Sequence, residues 1–154
     1  MSIKNSTNPN EFILTKLRDA KITLSTCEVI TGGMISSQLN SISWAKEVFV
    51  GGLVINDKKI IETQLKVKEK TIQDNTLVSG EVADEMAIGC SHFFNTDCAI
   101  SLTDVHDGIV YVGIKIIDIV KHYKITTLSN ERNAMRAEIC ADALIKLYSL
   151  LKDM

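Results

Sequence analysis

Residues 27 to 34 read Cys27-Glu28-Val29-Ile30-Thr31-Gly32-Gly33-Met34, the pattern of a strand that turns through two glycines into a helix. Apolar and small residues from Ile22 onward lead into it as a strand, and apolar residues from Met34 to Leu39 follow it at helical spacing. Together with an apolar strand predicted over residues 48–55, they form a strand-helix-strand unit, which favours parallel pairing with a right-handed crossover. The sequence therefore predicts an α/β domain.

The turn at Thr31, Gly32 and Gly33 has two interpretations. Thr31 is suited to cap the helix, and the glycines allow close approach to the backbone, so the free amides of the helix start would hold an anion or an oxyanion. A Thr-Gly-Gly sequence also forms a tight turn that binds nothing, and taken alone it indicates no more than such a turn. The flanking sequence has to decide between them.

The rest of the chain alternates between helical and strand patterns. The predicted elements are a helix over 10–19, a strand over 22–27, a helix after Thr31, a strand over 48–55, short helices over 57–64 and after Lys68, a helix over 80–95, strands over 98–103, 109–117 and 122–127, and a helix over 130–152. The strand over 109–117 is almost continuously apolar, which indicates cover on both faces. We expect a three-layer α/β/α domain with a mixed, mostly parallel sheet over residues 11–154, after a flexible N-terminus over residues 1–10.

Two details of packing also follow from the pattern. Val82, Met86, Gly89 and Phe93 are predicted to share the core face of the helix over 80–95. Adjacent glycines at 51 and 52 weaken a strand intrinsically, so we expect a neighbouring group to pack closely over them.

Composition limits the class of protein and its partners. The chain has 154 residues, 45% of them hydrophobic, and a net charge of -2 with mixed signs. This favours one domain with a core of its own and gives no electrostatic case for binding nucleic acid or an anionic membrane. The four cysteines form no Cys-x-x-Cys pair, and no apolar run follows a basic N-terminus, so we expect a reduced, cytoplasmic location.

Residues 27 to 34 also resemble the sequence motif of a known protein family. In the CinA C-terminal domain family, whose characterised members are nicotinamide mononucleotide amidases, the first strand ends in Ala-Glu-Ser-Cys-Thr-Gly-Gly. Glu28, Thr31, Gly32 and Gly33 match it. Further matches occur in the family's order from about residue 13 onward, at Phe49 to Val54, Leu65 to Val67, Val78 to Gly89, and Arg132, Arg136, Ala143 and Leu144.

The resemblance implies a catalytic serine that this chain lacks. Val29 stands at the position of the family's nucleophile, so the motif assigns no catalytic residue in this chain. The family's Tyr-x-Asn and the lysine that follows it correspond to Asn56, Lys58 and Ile61. The tyrosine and the lysine are therefore absent as well. Lys58 and Lys59 lie near the missing lysine, but solvated lysines at a helix start account for them equally.

The loop after Thr103 also differs from the corresponding loop of the family. After the threonine that corresponds to Thr103, the family carries a long glycine-rich loop suited to wrapping a phosphate. Here only Asp104-Val105-His106-Asp107 precede Gly108. Two carboxylates at this place would repel a phosphate.

Other side chains are candidates for catalysis and for metal binding. Cys27, two residues before Val29, faces the same side of the strand and is a conceivable nucleophile, but a buried and inert thiol is the simpler interpretation. Thr31 is a weaker candidate. The cluster of Asp104, His106 and Asp107 is more simply a solvated turn than a metal site. We expect no metal and no cofactor.

The resemblance therefore implies a divergent member that keeps the fold without the amidase chemistry. An active amidohydrolase with a relocated nucleophile, Cys27 or Thr31, and a structural or regulatory homo-oligomer are the alternatives. The partners that the resemblance implies are a nucleotide or small anion as ligand and a second copy of the chain, since family members often assemble. The residues predicted to bind the ligand are Glu28, Thr31, Gly32, Gly33, Gly51, Gly52, Arg132 and Arg136.

Overall fold

The secondary structure follows the predicted order. A computed structural model describes residues 8–154, so most of the predicted N-terminal segment, residues 1–7, lies outside the described residues. Within residues 8–154 the elements are α1 (Pro9–Asp19), β1 (Leu24–Glu28), α2 (Met34–Leu39), a short 3-10 helix (Ala45–Glu47), β2 (Phe49–Val54), α3 (Lys58–Gln64), α4 (Glu69–Asn75), α5 (Gly80–Phe94), β3 (Cys98–Leu102), β4 (Ile109–Ile116), β5 (Ile119–Thr126) and α6 (Arg132–Lys152). Pro9 occupies the start of α1, where its missing amide costs nothing.

The five strands form one mixed sheet in the order β2-β1-β3-β4-β5. β1 pairs in parallel with β2 and β3, whereas β3, β4 and β5 pair in antiparallel fashion. Parallel and antiparallel pairings are thus equal in number, and the sheet is less dominated by parallel pairs than we expected. The predicted turn near Asp118 is present, and β5 begins at Ile119 because a tight hairpin pairs Ile119 with Ile116.

Helices cover both faces of the sheet, so the three-layer prediction is confirmed. Side chains of α1, α2 and α6 form one buried cluster with residues of the sheet, and those of α3, α4 and α5 form the other. β4 is sandwiched between α5 and α6, as its apolar sequence predicts. Burying each leucine or isoleucine of such a core contributes about 1.5–3 kcal/mol.

The core face of α5 was predicted with one error. Val82, Met86 and Gly89 are buried, but Phe93 is 47% exposed. The last turn of the helix lies beside the edge strand β2, where the neighbouring ring of Phe94 takes the core position. A Cβ atom on Gly51 would come within 2.9 Å of that ring.

Neighbouring side chains pack closely against both glycines of β2, as expected from the sequence. Phe94 lies over Gly51 on one face of the strand. On the other face, a Cβ atom on Gly52 would collide with the hydroxyls of Thr26 and Ser36, which hydrogen bond to each other at 2.8 Å. The glycines therefore let α2 and α5 approach the edge of the sheet.

Candidate functional site

The carboxylate of Glu28 is fully buried where β1 ends. Its Oε1 accepts hydrogen bonds from the hydroxyl of Thr31 at 2.6 Å and from the backbone amide of Ile35 at 2.9 Å. Its Oε2 accepts from the backbone amide and the hydroxyl of Ser36, at 3.1 and 2.7 Å. Helix starts stabilise negative charge through such free amides. Glu28 therefore binds the start of α2 from inside the protein.

The turn before α2 corrects one prediction. Thr31 was expected to cap the helix, but this was wrong: the N-cap is Gly33, and the hydroxyl of Thr31 donates to Glu28 instead. Gly32 and Gly33 adopt φ angles of 58° and 99°, in the left-handed region where a side chain would be strained. The glycines are thus accounted for by the geometry of the turn.

The two arginines predicted to bind a ligand are in different environments. Arg136 lies against the turn and donates from Nε to the carbonyl oxygen of Ile30 at 3.0 Å and from Nη2 to that of Thr31 at 3.2 Å. A Cβ atom on Gly32 would come within 2.5 Å of the same Nη2 atom. Arg132, one helical turn earlier, is exposed. Arg136 thus stabilises the turn.

A small cleft lies beside the turn, at the carboxyl ends of β1 and β3. Its volume is about 50 Å³, close to that needed for one or two water molecules. Val29, Asn56 and Ile61 line it, which are the positions where the resemblance gives a serine, a tyrosine and a lysine. The remaining lining residues are Lys58, Leu77, Met86, Thr103 and Asp104. The structure brings these positions together, and none of the three carries the side chain that the resemblance gives at its position.

The lysine and the threonine in the cleft have local partners. Lys58 is half exposed and forms an ion pair with Glu62 at 3.5 Å, one turn along α3. The hydroxyl of Thr103 accepts a hydrogen bond from the amide of Tyr111 at 3.0 Å and donates to the carbonyl oxygen of Asp104 at 2.9 Å. Both side chains thus take part in the local structure.

The two fallback nucleophiles are inaccessible. Cys27 is fully buried among side chains of α5 and donates weakly from Sγ to the carbonyl oxygen of Met86 at 3.6 Å. Burial raises the pKa of its thiol well above the ordinary value, so the thiolate that would attack a substrate is disfavoured. Thr31 is also fully buried. Neither side chain reaches the surface of the cleft.

The loop after Thr103 is as short as its sequence implies. A tight turn at Asp107 and Gly108, with φ angles of 49° and 73°, returns the chain directly into β4. The imidazole of His106 lies 3.4 Å from the carboxylate of Asp107, and both side chains are largely exposed. Across residues 8–154, no three His, Cys, Asp or Glu side chains are grouped so as to hold a metal ion.

The sequence model of the CinA C-terminal domain family matches residues 6–151 of this chain. The chain belongs to the CinA C-terminal domain family. A CinA-like protein of Fusobacterium nucleatum is 34% identical over 145 residues, a match that covers 88% of this chain and 35% of the relative. A CinA-like protein of Thermotoga maritima is 33% identical over 156 residues, covering 96% of this chain and 38% of the relative. This CinA domain thus spans little more than a third of the length of these curated relatives.

Solved structures share the fold. A competence or damage-inducible protein from Enterobacter asburiae superposes with a TM-score of 0.88 at 23% identity, over 96% of this chain and 99% of the other. A competence/damage inducible protein from Agrobacterium tumefaciens gives 0.85 at 24% identity, over 92% and 93% of the two chains. Among the helices described here, none has the length and apolar character that a membrane span requires.

Sequence reasoning missed the internal role of Glu28 in this CinA domain. The residue was assigned to ligand binding from its place in the motif, whereas its carboxylate faces Ile35 and Ser36. One signal was available in the sequence. Glu28 lies seven residues before the first turn of a short helix whose N-cap position, Gly33, has no side chain to cap it. On β5, the Nδ1 atom of the exposed His122 lies 2.8 Å from the carboxylate of Asp84 on α5.

Proposed function

We propose that this domain keeps the CinA architecture without hydrolysing amides. The reaction that the family resemblance implies is conversion of nicotinamide mononucleotide to nicotinate mononucleotide and ammonia. The observation that carries the proposal is the side chain of Val29, which lines the cleft at the position of the family's serine. A methyl group cannot attack a carbonyl carbon.

The surroundings of Val29 support the same proposal. Metal-free amide hydrolysis needs a nucleophile, a base and donors for the oxyanion. Asn56 and Ile61 take the positions of the tyrosine and the lysine, and Cys27 and Thr31 are buried. Losing a nucleophile can cost on the order of a million-fold in turnover. The remaining backbone donors would leave only residual catalysis.

Binding of a nucleotide phosphate is also poorly supported. The amides of Ile35 and Ser36 already donate to Glu28, and the guanidinium of Arg136 is bound to backbone carbonyls. Asp104 places a carboxylate beside the cleft. A phosphate would therefore meet a negative charge and few free donors. The proposal includes a reducing, cytoplasmic location, which the four free cysteines support.

The experiment is release of ammonia from nicotinamide mononucleotide by the purified protein, with a family member that carries the serine as positive control. We expect no release above the rate of substrate alone. Val29→Ser is the informative variant, and it should stay inactive because Asn56 and Ile61 are unchanged. Turnover by the unmodified protein at the rate of the positive control would refute the proposal.

Self-assembly is a second candidate function, favoured by the edge strand β2. Its residues carry no charge, and Val50 and Val54 are 53% and 54% exposed. The opposite edge, β5, carries Lys121 and Lys124, the kind of charge that discourages pairing between edges. A second copy of the chain would pair along β2 and cover the valines.

Light scattering coupled to size exclusion tests this assembly. We expect a dimer that Val50→Lys converts to a monomer. The matched control is Ile119→Lys on β5, where the replaced side chain is 56% exposed. A monomeric unmodified protein, or equal disruption by both substitutions, would contradict assembly through β2.

A further inference from the structure

A second and much larger cavity adjoins the small cleft at Val29. Its volume is about 480 Å³. It lies between the segment that leads into α5, the short loop after β3 and the start of β4. Its main lining residues are Leu77, Val78, Asp104, Val105, Ile109 and Tyr111. Leu77 and Asp104 line the small cleft as well, so the two spaces are neighbours.

The lining combines an apolar wall with one carboxylate. Five of the lining side chains are apolar or aromatic and half buried, which is typical of sites for small organic molecules. Asp104 is exposed at the wall, and its Oδ1 accepts a hydrogen bond from the amide of Val105 at 2.8 Å, which fixes the carboxylate in the loop. The other polar lining residues are Thr76 and His106. The residues lining the cavity include neither lysine nor arginine.

We propose that this cavity binds a small organic cation with an apolar or aromatic body. The carboxylate of Asp104 attracts a positive charge, and cations are also attracted to aromatic rings such as that of Tyr111, which lines the cavity. The apolar wall takes up the body of the ligand. This inference goes beyond the proposed loss of hydrolysis, and it holds whether or not the protein releases ammonia.

The size of the cavity argues against the small cleft as the binding site, and the charge of its lining argues against an anionic ligand. A volume near 480 Å³ lies within the usual range for small-molecule sites, whereas the cleft at Val29 holds about 50 Å³. An anion of the same shape would meet the Asp104 carboxylate without a basic side chain among the lining residues to compensate. The cavity should therefore discriminate by charge more than by shape.

Three indole compounds of one shape and different charge test the proposal. Tryptamine is a cation at neutral pH, tryptophol is neutral and indole-3-acetate is an anion. Each is titrated into the ¹⁵N-labelled protein, and binding is followed by the amide resonances of Val105 and Tyr111. We expect tryptamine to bind about two- to fivefold more tightly than tryptophol, the factor expected from a partly exposed ion pair. Indole-3-acetate should bind most weakly.

Two matched variants test whether the carboxylate of Asp104 is the charge that attracts the cation. Asp104→Asn keeps the oxygen that accepts from Val105, and it should bring tryptamine to the affinity of tryptophol. Asp107→Asn makes the same change of charge three residues away, at a side chain that is 86% exposed and does not line the cavity, and it should leave the preference intact. The proposal is overturned if no compound binds, if the anion binds as tightly as the cation, or if both variants have the same effect.

Discussion

Arg136 donates from its Nε atom to the carbonyl oxygen of Ile30 at 3.0 Å, and this bond joins the last helix to the turn after β1. The two residues are 106 positions apart in the chain. Hydrogen bonds from charged donors contribute about 1.5–3 kcal/mol when they are shielded from water. The turn that carries Gly32 and Gly33 is thus stabilised by a residue that sequence alone assigned to ligand binding.

Arg136→Ala should lower the free energy of unfolding by about 2 kcal/mol, because two backbone carbonyls lose their charged donor. The matched variant is Arg132→Ala in the same helix, where the side chain is exposed and a change within about 0.5 kcal/mol is expected. Urea unfolding followed by circular dichroism measures both. Equal losses for the two variants would contradict the role given to Arg136.

Glu28→Gln should lower the free energy of unfolding by roughly 3 kcal/mol, since an amide nitrogen would face buried donors of Thr31, Ile35 or Ser36. The control is Glu131→Gln, which changes a carboxylate that also caps a helix, α6, but in full contact with solvent. A smaller loss is expected there. If Glu28→Gln were as stable as the unmodified protein, the carboxylate would not be what holds the start of α2.

Alkaline pH should destabilise the protein through its buried thiols. Burial raises the pKa of Cys98 to about 12 and that of Cys27 well above the ordinary value, whereas an unfolded thiol titrates near 8.5. Unfolding therefore releases protons above pH about 8.5. The stability contributed by each protonated thiol is complete below that pH and is lost as the pH rises towards 12, by up to about 1.4 kcal/mol per pH unit.

The midpoint of urea unfolding, measured in reducing buffer at several pH values from 8 to 10, tests this prediction. Cys98→Ala should reduce the slope of stability against pH. Ser149→Ala, an exposed change on α6, should leave the slope unchanged. An unaltered slope in Cys98→Ala would show that this thiol does not titrate on unfolding.

The hydrophobic periodicity of the sequence was sufficient to predict the order of the helices and strands. Stretches such as Ile109 to Ile116 and Gly80 to Phe94 are long and strongly patterned, so their type and position follow from hydrophobicity alone. The start of β5 was placed three residues late, because the apolar pair Ile119 and Val120 gave no alternation. Phe93 was assigned to the core because the helical pattern carries no information on where the helix passes the edge of the sheet.

The sequence was sufficient to predict where the cleft at Val29 lies, but not what the individual side chains around it do. Motif order identified Val29, Asn56 and Ile61 as one group, and they line one cleft. The functions of Glu28 and Arg136 depend on contacts with the turn after β1, and a pattern of residue types does not show which way a buried carboxylate or guanidinium points. The larger cavity next to Tyr111 was missed because its wall comes from three separate segments.

Whether this domain hydrolyses amides is tested by its turnover number for release of ammonia from nicotinamide mononucleotide. A typical enzyme turns over at about 10 per second, and loss of the nucleophile reduces this by about a million-fold. With Val29 in the cleft, we expect a value at or below about 10⁻⁵ per second. A turnover number near 1 per second, retained after repurification, would contradict it.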